Sequence, residues 1–124
     1  MVILYPTETL YAIGVNALDF DELQKLYTLK GRDAQKVASW LVRNIEDIQQ
    51  YAEVPQKAVK IAQRFLPGSL TLVLKVKDFL SDQVVAPDYT IGFRISDDPM
   101  TEKIIDAWME EYDAPLTCTS ANVH

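Results

Sequence analysis

Four short polar stretches carry residue types from which a ligand site could be built. Lys30-Gly31-Arg32 sets two cations on either side of a residue without a side chain, so a phosphate chain could reach the backbone while drawing charge from both. At about 4 Å and an effective dielectric near 20, each cation would gain about 4 kcal/mol from a phosphate before desolvation. The bland alternative is a solvated helix end, where lysine is favoured by the macrodipole. Thr119-Ser120-Ala121-Asn122 offers hydroxyls and an amide beside a small residue, suited either to a ligand or to a turn. Arg94 interrupts the apolar run Ile91-Gly92-Phe93-Arg94-Ile95. Turned inward it needs an anionic partner, for which a carboxylate is the bidentate match; turned outward it needs none. Thr90 precedes it on the same run. Thr7-Glu8-Thr9 could hold an amino acid through its hydroxyls or cap a helix beginning near Leu10.

Other chemistries lack raw material. The single histidine is His124, the last residue, so a zinc cluster or a Ser-His-Asp triad has no histidine within the fold. The single cysteine, Cys118, excludes an intrachain disulfide and reads as a small buried residue, and Trp40 and Trp108 read as core. A net charge of −6 opposes broad attraction to nucleic acid or to an anionic membrane. The opening Met1-Val2-Ile3-Leu4-Tyr5-Pro6 has no basic region and no apolar run near the roughly 20 residues that span a bilayer. It is expected to be a strand, and the chain to be cytoplasmic and without a membrane partner.

The elements that must position these stretches follow from pattern. With 124 residues, 48% hydrophobic and 24% charged, one globular domain over residues 1–124 is expected. Strands are predicted over residues 2–5, 37–42, 70–76, 90–95 and 116–119. Helices are predicted over residues 19–29, where Asp19 and Glu22 have capping-box spacing; over 44–51, with Asn44 as cap; from Pro55 to a stop at Pro67-Gly68; and over 99–112. In the third helix Ala58, Val59, Ala62 and Phe65 form the apolar stripe, and in the last Ile104, Ile105, Trp108 and Tyr112 face inward. Alternating strands and helices without repeats give an α/β fold, with helices packed on a sheet that is parallel in part. The polar stretches fall at element ends, where such sheets place ligands.

Taken in order, Tyr5-Pro6-Thr7-Glu8-Thr9-Leu10-Tyr11-Ala12-Ile13-Gly14, Lys30-Gly31-Arg32, Leu66-Pro67-Gly68-Ser69-Leu70-Thr71-Leu72-Val73-Leu74, Gly92-Phe93-Arg94 and Thr119-Ser120-Ala121-Asn122 resemble the YrdC-like L-threonylcarbamoyladenylate synthases. Five motifs in order are far more specific than any one. The resemblance implies a YrdC/RibB-like twisted mixed sheet with packed helices. It also implies an ATP-dependent nucleotidyltransferase joining L-threonine, bicarbonate and ATP into threonylcarbamoyl-AMP, for tRNA threonylcarbamoyladenosine modification. On that resemblance Lys30, Arg32, Thr90, Ser120 and Asn122 would contact ATP, Thr7 and Arg94 would hold threonine, Mg²⁺ would accompany the nucleotide, and no covalent nucleophile is called for.

The sequence also departs from that family. Ala12 and Ser69 stand where members usually carry Gly and Pro, and Asp33 where Pro follows the basic motif. Val37 and Ala38 replace Pro-Leu, and Leu41 stands where many members carry His. Relatives generally continue past Ser-Ala-Asn, so a C-terminal continuation is expected to be missing here. Alternative readings are an RNA-binding module for tRNA or double-stranded RNA, a noncatalytic paralogue, and carbamoyl transfer of the kind found in hydrogenase-maturation proteins.

Overall fold

Helix boundaries follow local chemistry closely. The first helix, α1 (Phe20–Lys30), begins at Asp19, whose carboxylate accepts from the Glu22 amide at 3.1 Å. The box is only half closed, because the Glu22 carboxylate takes the N-terminal amine instead. The helix ends at Gly31, whose φ of 67° is open to glycine at little cost. In α2 (Ile45–Tyr51) the Asn44 amide oxygen accepts from Asp47 N at 2.9 Å. After α3 (Gln56–Phe65), α4 (Pro99–Tyr112) starts with Pro in its first turn and Asp98 as cap.

The computed structural model describes residues 1–7, 11–31 and 37–120. Among them β1 (Ile3–Pro6), β2 (Tyr11–Gly14), β3 (Ser39–Leu41), β4 (Leu72–Lys75), β5 (Thr90–Arg94) and β6 (Leu116–Ser120) form one sheet in the order β1-β2-β6-β3-β5-β4. Only β3 and β5 run parallel; every other neighbouring pair is antiparallel. The expected mixed sheet with packed helices is therefore present.

Several local expectations change. Residues 11–14 are a strand paired with β1, so no helix starts near Leu10. Of the expected stripe on α3 only Ala62 is buried, and Phe65 stays 55% exposed. On α4 Tyr112 is exposed, while Thr101 and Met109 join Ile105 and Trp108 inside.

Side chains alternate across a strand, so pairing defines two sheet faces. On one, Trp40 and Phe93 pair in register and meet edge to face at 5.8 Å; Tyr51 of α2 meets Trp40 at 5.7 Å. These residues belong to the apolar core, which continues on the other face through Leu41, Leu116 and the α4 residues Ile105, Trp108 and Met109. Ser39 and Leu41 of β3, Gly92 and Arg94 of β5, and Leu116 and Cys118 of β6 belong to the opposite face. There α4, packed on β1 and β6, covers one end only.

Candidate functional site

The polar face carries the candidate ligands. A Cβ on Gly92 would lie 2.9 Å from Thr71 Cγ2, just before β4, and 3.2 Å from Ser39 Oγ on β3, so side chains from both sides close on the space that this glycine leaves. Two residues along β5, Arg94 is half-buried and reaches across the sheet, with Nη1 donating to Cys118 Sγ at 3.8 Å. Of the two orientations left open for Arg94, the side chain takes the one that lies over the sheet toward β6.

Arg94 lines a small hollow with Thr7, Leu41, Ser96, Thr101 and Cys118. Thr7 and Arg94, distant in sequence, meet there. The hollow combines one permanent cation with three hydroxyls and an apolar wall of Leu41 and Cys118. The hollow measures about 10 Å³, room for about one water molecule and not for an amino acid, so it marks where these residues come together rather than a formed ligand cavity. Its roof belongs to α4: Thr101 Oγ1 donates to the Pro6 carbonyl at 2.6 Å, and Ser96 Oγ accepts from Asp98 N at 3.0 Å.

Further along the same face lies a broader, shallower hollow lined by Ser39, Thr71, Pro87, Asp88, Thr90 and Gly92. Thr90 Oγ1 donates to Asp88 at 2.7 Å and Thr90 N at 3.2 Å. The Thr90 hydroxyl, foremost, holds the Asp88 carboxyl below its ordinary value; Lys75 adds a smaller pull. The carboxylate would repel a phosphate set against it, so a nucleotide here would present its sugar or base to this rim.

Lys30 is only 8% exposed, which removes the reading of a solvated helix end. It closes α1, where the carbonyl end of the helix favours a cation, and Gly31 then turns the chain. Arg32 and Asn122, the Ser120 side chain, and Glu8 and Thr9 of the first motif lie outside the described residues. The Ser120 backbone pairs with Ala12, which joins the strands bearing the first and last motifs.

Sequence reasoning missed Ser96 and Thr101. Thr101 stands three residues after Asp98 and reads as part of a helix cap; nothing local signals a bond to residue 6. Cys118 was expected to be buried and is, yet it also forms a wall of the hollow. Among the described residues no group of three or more His, Cys, Asp or Glu could hold a metal ion, and no helix is long and apolar enough to cross a membrane.

Comparison with known proteins agrees with the fold. A Methanocaldococcus jannaschii protein is 41% identical over 122 residues, which is 98% of this chain and 55% of its own. The threonylcarbamoyl-AMP synthase of Bacillus subtilis is 37% identical over 127 residues, 98% of this chain and 35% of its own. The crystal structure of Pyrococcus abyssi Sua5 complexed with L-threonine superposes with a TM-score of 0.86 at 30% identity, over 98% of this chain and 35% of that one. The chain thus spans between about a third and just over half the length of these relatives. The Sua5/YciO/YrdC family model, described as "Telomere recombination", matches residues 1–124. With the whole chain matched and the six-stranded mixed sheet in agreement, this protein belongs to the Sua5/YciO/YrdC family.

Proposed function

We propose that the chain binds ATP and L-threonine on the polar face of its sheet and, with bicarbonate, forms threonylcarbamoyl-AMP and pyrophosphate, a product destined for tRNA modification. The observation that carries this reading is the meeting of Thr7 and Arg94 in one hollow, beside the notch at Gly92. The likeness to a Sua5 crystallised with L-threonine supports it.

In this reading Arg94 holds the threonine carboxylate and Thr7 a second polar group, leaving the amine directed along the face. The amine nitrogen bonds to the bicarbonate carbon with loss of water, giving a carbamate. A carbamate oxygen then attacks the α-phosphorus as the bond to the bridging oxygen breaks and pyrophosphate leaves in line. Lys30 and Arg32 neutralise phosphate charge, while Thr90, Ser120 and Asn122 hydrogen-bond to the nucleotide. Alignment and charge stabilisation supply the acceleration, so the lack of an internal histidine is no obstacle. Mg²⁺ would accompany ATP and help offset the charge of its phosphates, beside Lys30 and Arg32.

The test is pyrophosphate release from ATP. The expected result is release that requires both L-threonine and bicarbonate; release indifferent to either would overturn the reading. A noncatalytic paralogue is the second reading, favoured by Leu41 in the wall of the hollow. It predicts L-threonine binding without pyrophosphate release.

A further inference from the structure

The cap of α4 leaves one hydroxyl with a task that capping does not explain. Asp98 Oδ2 accepts from Thr101 N at 3.0 Å, the ordinary N-cap bond. In a closed capping box the side chain three residues on would return to the cap's own amide, but Asp98 N donates to Ser96 Oγ instead. Thr101 Oγ1 therefore faces two acceptors, the Pro6 carbonyl at 2.6 Å and Asp98 Oδ2 at 3.0 Å. A hydroxyl has one proton to share between them, and the Pro6 carbonyl is the nearer acceptor. Thr101 is fully buried, so water cannot replace the bond.

We infer that Thr101 is a positioning residue for the amino-acid subsite: its hydroxyl pins the Pro6 carbonyl and so fixes where Thr7 stands relative to Arg94. The inference rests on the proposed reading of the Thr7–Arg94 hollow. The bond joins residues 95 apart, linking the end of an edge strand to the first turn of a helix. Pro6 immediately precedes Thr7, and Thr101 lines the same hollow as Thr7 and Arg94. A small displacement of Thr7 alters the subsite directly, whereas the hollow at Thr90, although it shares β3 and β5, is lined by neither Thr7 nor Thr101.

The experiment compares Thr101→Val, which keeps the volume and removes the donor, with Thr101→Ser, which keeps the donor. Calorimetric binding of L-threonine and of ATP to the full chain is measured for each, with thermal unfolding alongside. The expected result is L-threonine binding weakened about tenfold in Thr101→Val and within about threefold of the parent in Thr101→Ser, with ATP binding changed less than about twofold in both. Equal L-threonine affinity in Thr101→Val and the parent would overturn the inference, as would equal impairment of the Val and Ser variants, which marks a packing role. Thr101→Ala serves as a second hydroxyl-free variant should Val prevent folding, and is read the same way. A parent chain that binds no L-threonine overturns the subsite reading itself and this inference with it, a result distinct from a parent that binds and a Val variant that binds equally.

Discussion

The two ends of the polar face are built differently. At the α4 end, Thr101 is fully buried and Ser96 nearly so, and both are committed to hydrogen bonds that hold the backbone around Thr7 and Arg94. At the other end, Thr90 and Asp88, two residues apart, bond to each other at the rim of a shallow hollow that the bare backbone of Gly92 also lines. A small ligand that must be oriented gains from the first arrangement, because rigidity fixed during folding is not charged again on binding. A larger ligand that must enter and leave gains from the second.

Variants can break this contrast. The largest effect is expected from Arg94→Ala: about 100-fold weaker L-threonine binding by calorimetry, as befits a lost charge-assisted bond to a carboxylate, with the fold retained in circular dichroism. Lys30→Ala should act on the other ligand, weakening ATP about tenfold or more while L-threonine binding holds. Parallel losses of both ligands in either variant would erase the distinction between the ends.

Two further changes sharpen it. Asp47 accepts from Arg43 N at 3.0 Å and from Nε and Nη2 at 3.0 and 2.9 Å, away from both hollows. This carboxylate bond, ahead of the cost of burial, raises the Arg43 pKa. Asp47→Ala should therefore cost about 2 kcal/mol in chemical denaturation and leave ligand affinities unchanged. The smallest effect is expected from Thr90→Val: loss of the hydroxyl should let the Asp88 pKa rise toward 3.8, seen by NMR titration of the carboxyl. The sign follows from linkage. A carboxyl lowered on folding adds stability above 3.8 that disappears as pH falls through its folded value, so Thr90→Val should lose that contribution at neutral pH and show a flatter acid limb below 3.8.

Much of the scaffold was legible because its signals are local. Asp19, Asn44 and Pro99 mark helix starts by chemistry within one turn, and all three helices begin where those residues indicate. The strand at residues 11–14 was not legible, because its buried positions hold Ala12 and Gly14 while Tyr11 is exposed. Small residues facing inward reverse the usual alternation of large apolar and polar side chains. The stripe on α3 misled for the opposite reason: helical periodicity says which side chains share a face, but not whether that face is covered. Arg94 was legible as a conspicuous charge in an apolar strand, but its orientation was not, since the reach toward Cys118 depends on the pairing of three strands. Thr101 was not, since its partner lies at the other end of the chain.

Strand order carries one more consequence. Among the described residues the β1–β2 hairpin joins the other strands of the sheet through β6, which follows the other five in sequence and sits between β2 and β3. During synthesis the first motif therefore waits, unattached to the strands that carry Leu41 and Arg94, until residues 116–120 have emerged and slotted in. The keystone is delivered after the five strands it unites, and a ribosome pausing ahead of it would hold two unjoined half-sheets with exposed edges, a condition that favours aggregation of a nascent chain.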